Sequence, residues 1–121
     1  MKRILLVDDS RTSLFMEQMI LKNGPYQLLT AKDGLEGLER ARAEHPDLIL
    51  MDVVMPRMTG IEALRELRAG QDTREIPVIL VTTRGEAPNV ETGYESGCND
   101  YLTKPIDPEA LLTKVRECLG A

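Results

Sequence analysis

The chain predicts an α/β protein of the doubly wound (βα)5 type, with a five-stranded parallel sheet. Three observations point there. Apolar runs at Ile4 to Val7, Leu48 to Met51 and Val78 to Val81 each stop at polar residues, namely Asp8 and Asp9, Asp52, and Thr82. Between the runs lie segments whose apolar residues recur at helical spacing and whose ends carry capping chemistry. The alternation repeats five times, which calls for right-handed crossovers and helices on both faces of a parallel sheet.

In chain order, Ile4 to Val7 is the first strand, and Ser10 can cap a helix running to about Lys22. Leu14, Met16, Ile20 and Leu21 supply its apolar side, and Asn23, Gly24 and Pro25 stop it. Gln27 to Ala31 is the second strand. Asp33 and Glu36 have capping-box spacing, opening a helix with Leu35, Leu38 and Ala41 on one stripe and Pro46 beyond its end. After the third strand, Thr59 and Glu62 repeat the box, and Ile61, Leu64 and Leu67 form the buried face up to Gly70. The fourth strand is Val78 to Val81. Gly85, Pro88, Gly93 and Gly97 lower helix propensity around Val90 and Tyr94, so a short or mobile fourth helix is expected. Tyr101 to Thr103 is the fifth strand, ending in Lys104. Asp107 caps the last helix with Pro108 at its first position, and Leu111, Leu112, Val115 and Leu119 make its stripe. The second strand feeds no strongly polar group to the common edge and is expected at the side of the sheet.

A chain of 121 residues suits one domain, 1–121, with no linker or internal repeat. Its 15 basic and 20 acidic residues give a net charge of −5, which argues against direct nucleic-acid or membrane binding. No apolar stretch reaches the roughly 20 residues of a membrane span, and Met1 to Val7 lacks the form of a signal peptide, so a cytoplasmic protein is expected. Cys98 and Cys118 fit neither a metal nor a redox pattern and read as idle thiols.

In a parallel sheet, the polar residues that end these runs share the carboxyl edge, where open α/β sheets bind ligands. Three carboxylates, a hydroxyl and an ammonium then meet in one pocket. Mutual repulsion among the acids, roughly 4 kcal/mol per pair at 4 Å, calls for a hard divalent cation. Asp9 and Asp52 are its expected direct ligands, with Asp8 acting directly or through water, and Mg²⁺ is the expected ion. Asp52 stands alone before the loop Val53 to Met58 and is the candidate nucleophile toward phosphorus. Lys104 and Thr82 would meet phosphoryl oxygens. The chemistry read from these residues is formation of an aspartyl phosphate.

Asp8-Asp9, Asp52 followed by Met55-Pro56 and Thr59-Gly60, then Thr82, Tyr101 and Lys104-Pro105 resemble the receiver domain of two-component response regulators, with its CheY-like, flavodoxin-like fold. The resemblance spans about Ile4 to Leu119. It implies that Asp52 accepts a phosphoryl group from a histidine kinase or phosphotransfer protein, with the Val54 backbone carbonyl joining the Mg²⁺ ligands. It also implies that Thr82 and Tyr101 reposition on phosphorylation and that Lys104-Pro105 is cis. The signalling face would be the fourth helix, fifth strand and last helix, read by a downstream protein or a covalently linked output domain. Beyond phosphorylating itself from a donor and slowly losing the group, such a protein is no enzyme. A homodimer on phosphorylation remains an option, although no exposed apolar run supports it.

Val54 and Arg84 occupy positions that tune dephosphorylation in this family, and neither offers a carboxylate or amide to orient water. A longer-lived phosphorylated state than in a variant carrying Val54→Asn and Arg84→Glu is therefore expected. Thr83 stands where a smaller residue is usual and is expected to narrow access to Asp52. His45 precedes the third strand, at the far edge from Asp52, and reads as a loop histidine. Met51, Met55 and Met58 read as packing beside an all-oxygen site.

A haloacid-dehalogenase-like phosphatase would need a second Asp two residues beyond its nucleophile, where Ser10 and Val54 stand. A flavodoxin-like FMN binder would want neutral groups in place of Asp8 and Asp9. The serious alternative is a receiver-like interaction module that signals without phosphorylation.

Overall fold

The computed structural model describes residues 1–83 and 87–120, with the backbone alone for 87–89. Five strands alternate with five helices: β1 (Lys2–Val7), α1 (Arg11–Leu21), β2 (Tyr26–Ala31), α2 (Gly34–Glu44), β3 (Leu48–Asp52), α3 (Gly60–Ala69), β4 (Val78–Thr83), α4 (Ala87–Ser96), β5 (Asp100–Lys104) and α5 (Pro108–Leu119). The sheet is parallel throughout, in the order β2-β1-β3-β4-β5, so β2 lies at an edge as its sequence suggested. The order reverses direction between β1 and β3, the switch point at which sheets of this type open a crevice.

Strand alternation divides the core. Leu5, Val7, Ile49, Met51 and Leu80 pack with α2 and α3 residues such as Leu38, Leu64 and Leu67. Ile4, Leu6, Leu50, Ile79 and Val81 face the other way, against Leu21 of α1 and Leu111 and Val115 of α5. Both faces are covered, which is why these strands read as unbroken apolar runs and not as alternating ones. Among the described residues no helix is long and apolar enough to cross a membrane.

The caps follow the sequence closely. Ser10 accepts from the Ser13 amide, Asp107 from Ala110, and Thr59 with Glu62 closes a full capping box. At α2 only half of the expected box forms: Asp33 accepts from the Glu36 amide, while Glu36 reaches back to the Lys32 amide and not to that of Asp33. Asp33 itself is buried and faces Arg57 across 3.7 Å.

Three expectations are corrected. Met16 is 49% exposed, and its place on the buried face of α1 is taken by Glu17, 1% exposed. The geometry explains it: Leu14, Glu17 and Leu21 fall at i, i+3 and i+7, whereas Met16 is two residues from Leu14 and points elsewhere. On α2, Leu35 is only half-buried, and Gly34 and Gly37 share the packed face, with Gly37 seated on Val7. Finally, α4 is ten residues long, near the usual length, in spite of its weak propensity. Gly93 helps it to form, because a Cβ there would lie 2.6 Å from Leu80 Cδ1; the glycine lets α4 approach β4, and packing overrides propensity.

Candidate functional site

The carboxyl ends of β1, β3, β4 and β5 bring their polar residues together. Asp52 is the last residue of β3 and pairs in register with Val81, one position before Thr82. Thr82 in turn pairs with Thr103, the neighbour of Lys104. Asp8 follows β1, anchored by its amide to the Ala31 carbonyl at 3.1 Å.

Backbone close to Asp52 is tightly fixed. The Val53 amide bonds to Val81, and the Gly60 amide bonds to the Val53 carbonyl. A Cβ at Gly60 would collide with the Asp52 carbonyl oxygen, so glycine alone allows the start of α3 to pack directly behind the β3 terminus.

Asp8, Asp9 and Asp52 each contribute a carboxylate oxygen to a cluster in which these atoms lie within 4.8 Å of one another. Asp9 is exposed, while Asp8 and Asp52 are buried, at 1% and 6% exposure. Lys104 reaches both buried acids, with Nζ 3.0 Å from Asp8 Oδ2 and 3.6 Å from Asp52 Oδ2. The Ser10 amide donates to the other Asp8 oxygen. One ammonium therefore serves both buried carboxylates of the three.

The electrostatics register that deficit. Burial, then the Asp8 carboxylate, push Asp52 up to about 6, and Lys104 only partly offsets them. For Lys104, burial works against the charged form, but the hydrogen bond to Asp8 and the charge of Asp52 outweigh it and raise its pKa. A buried carboxyl held above its ordinary range, beside an acid that shares its one cation, is a site suited to a further positive charge. The donor set is all oxygen and partly open through Asp9, which fits a hard divalent ion such as Mg²⁺.

The remaining sequence candidates lie as follows. Thr82 is buried, and its hydroxyl donates to the Leu102 carbonyl at 3.5 Å, the outer limit of a hydrogen bond. Tyr101 is half-buried, with its ring edge-on to Tyr94 of α4 at a centroid distance of 6.0 Å. Val54 is 55% exposed, just beyond Asp52. Thr83 is exposed at the end of β4, and Arg84 lies outside the described residues. The Lys104-Pro105 peptide is cis. His45 ends α2 in the left-handed region, before β3, on the side of the sheet away from the cluster.

One residue escaped the sequence reading: Glu17, a buried acid on α1. Its burial, then the Asp8 carboxylate, push it up to about 8. The signal was present in the helical spacing, since position 17 falls on the Leu14–Leu21 stripe, but a carboxylate there reads as surface until the helix is docked.

A family model described as response regulator receiver domain matches residues 4–116. Protein PilH of Pseudomonas aeruginosa is 43% identical over 120 residues, covering 99% of both chains. The crystal structure of a putative response regulator from Chloroflexus aurantiacus superposes with a TM-score of 0.94 at 30% identity, covering 99% of this chain and 98% of that one. The receiver domain of the sensor histidine kinase PA1611 from Pseudomonas aeruginosa, with a magnesium ion in its active-site cleft, gives a TM-score of 0.91 at 30% identity. It covers 99% of this chain and is itself covered to 98%.

Proposed function

This chain belongs to the response regulator receiver domain family, and from that premise we propose that it is a phosphoacceptor switch in which Asp52 takes a phosphoryl group from a histidine kinase or phosphotransfer protein. The observation that carries this reading is the cluster of Asp8, Asp9 and Asp52 with Lys104 at one end of the sheet.

The cluster and the family membership support the following roles. An Asp52 carboxylate oxygen attacks phosphorus as the bond to the donor's imidazole nitrogen breaks, and the electron pair leaves with the imidazole. Asp8, Asp9 and Asp52, with the Val54 carbonyl, would hold Mg²⁺, which when bound offsets carboxylate charge and orients the phosphoryl oxygens. Lys104 neutralises a phosphoryl oxygen from its position between Asp8 and Asp52. The Thr82 hydroxyl, only weakly engaged with Leu102, turns to a second oxygen.

The output runs through α4, β5 and α5. Movement of Thr82 opens space that the Tyr101 ring can enter, which breaks its edge contact with Tyr94 and so shifts α4. A downstream protein or a linked output domain reads that face. Catalysis is limited to self-phosphorylation and slow self-dephosphorylation.

The test is incubation with Mg²⁺ and acetyl phosphate or phosphoramidate, followed by intact mass of the wild type and Asp52→Ala. A phosphate adduct on the wild type alone is the expected result. No adduct from either donor, together with no Mg²⁺-dependent beryllofluoride binding, would overturn it in favour of an interaction module that works without phosphorylation.

A further inference from the structure

At the edge of the sheet opposite the acceptor cluster, the Arg68 guanidinium of α3 joins the end of one helix to the starts of two strands. Its Nε donates to the Gly97 carbonyl at 3.0 Å, Nη1 to the Ile76 carbonyl at 2.8 Å and Nη2 to Asn99 Oδ1 at 3.1 Å. Gly97 follows α4, Ile76 leads into β4 and Asn99 leads into β5. Asn99 Oδ1 also accepts from the Val78 amide at 2.9 Å, and the Asn99 amide donates to the Val78 carbonyl at 2.8 Å, so this acceptor is itself fixed. One turn earlier on α3, Arg65 Nε donates to the Ser96 hydroxyl at 3.1 Å.

The backbone is shaped to this arginine. Gly97 has a φ of 106°, in the left-handed region, and a Cβ there would lie 3.1 Å from Arg68 Cγ and Nε, so the chain leaves α4 pressed against the arginine stem. A planar guanidinium, with its donors in a rigid fork, meets carbonyls at a helix C-terminus as no ammonium can. The Ala87 end of α4 stands under another influence. Because α4 follows β4, that end lies toward the carboxyl edge with Thr82, about 15 Å from the Ser96 end for a helix of this length. Between the two ends Gly93 lies on Leu80 with no side chain to interlock.

Given the phosphoacceptor reading above, we propose that Arg68 is the positioning residue about which α4 turns: it holds the Ser96–Gly97 end in place, so that a response at the acceptor site tilts α4 and displaces its Ala87 end. A tilt of roughly 10° about a fixed Gly97 carries the far end through about 3 Å. The turn into β5 keeps its place meanwhile, and with it the strand that carries Tyr101 and Lys104.

The test is NMR of the full chain with Mg²⁺ and beryllofluoride. Amide residual dipolar couplings should show the α4 axis rotating against β1 and β3, and amide shifts should be at least threefold larger at Glu91 and Thr92 than at Gly97 and Cys98. Arg68→Lys keeps the charge and removes the fork. It should bind beryllofluoride within threefold of the wild type, yet its Gly97 and Cys98 amides should exchange with solvent at least tenfold faster in the unliganded protein, and the beryllofluoride response should spread to them. A role confined to stability would instead speed exchange throughout the sheet and leave the pattern of the response unchanged. That result, retained protection of Gly97 and Cys98 in Arg68→Lys, or a wild-type α4 that shifts without rotating would each overturn the proposal and leave Asp52 as acceptor. The wild-type couplings decide the matter even if the variant is too unstable to study. No beryllofluoride response at Asp52 in the wild type would remove the phosphoacceptor reading, and the proposal with it.

Discussion

The Lys104 ammonium at the end of β5 donates to Asp8 Oδ2 across 3.0 Å, joining two residues 96 positions apart. Asp8 is 1% exposed, so the pair lies where water screens little, and among the described residues no other side-chain cation is seen at this acid. Lys104→Met should therefore leave the acids less well compensated. Phosphorylation from acetyl phosphate should slow at least tenfold, while Mg²⁺ affinity rises several-fold because a competing positive charge is gone. Calorimetric Mg²⁺ titration checks the second half, and a fall in affinity would contradict it.

Asp52 sits above its ordinary carboxylate range, at about 6, so the folded protein binds this proton more tightly than the unfolded chain does. That contribution is fully present below about pH 3.8 and is lost as pH rises through 6. In metal-free buffer, Asp52→Asn should accordingly be more stable than the wild type at pH 7.5, by on the order of 1–3 kcal/mol. The advantage should shrink toward pH 4. Urea unfolding at the two pH values decides it, and a constant difference would count against the stated cause.

Glu17 has the same sign over a different window. Its folded value near 8 lies above the ordinary 4.5, so its contribution fades as pH climbs from 4.5 through 8. Glu17→Gln should flatten the stability profile in that window, gaining on the wild type by a few kcal/mol between pH 5 and pH 9. Thermal unfolding across the range would show parallel curves if burial of Glu17 had no such effect.

Thr82→Val keeps the shape of the side chain and removes the hydroxyl. Because that hydroxyl makes only a 3.5 Å contact to Leu102, unfolding free energy should change by less than about 1 kcal/mol. The beryllofluoride-induced shift of the Tyr101 ring resonances, by contrast, should be strongly reduced. An unchanged ring response would separate Thr82 from the switch.

Val54 is exposed beside Asp52 and presents no polar group to an attacking water. A double variant, Val54→Asn with Arg84→Glu, should lose phosphate severalfold faster than the wild type, as followed by intact mass after donor removal. Equal decay rates would remove both positions from control of lifetime.

Much of this molecule was legible in its sequence because the signals are local or repeat along the chain. The Thr59–Glu62 box, the Asp107-Pro108 start and the apolar runs of β1, β3 and β4 each depend on neighbours a few residues away. The edge position of β2 followed from what its end lacks. Even the Asp8, Asp9, Asp52 and Lys104 cluster was visible, since a parallel sheet aligns the carboxyl ends of its strands whatever their separation in sequence.

Other features depended on how the elements dock. Whether Met16 or Glu17 faces inward is a matter of rotation about the α1 axis, which the packing of Leu14 and Leu21 on the sheet decides. α4 reads as weak until Gly93 is seen against Leu80. The raised values of Asp52 and Glu17 arise from burial and from carboxylates brought close by separate elements, quantities with no counterpart along the chain. The sequence alone determined the order of elements and the chemistry gathered at the sheet edge, because backbone period and strand polarity are local properties. Only the tertiary structure decided which acids are buried and what field each feels, because desolvation and Coulomb energy depend on distance through space.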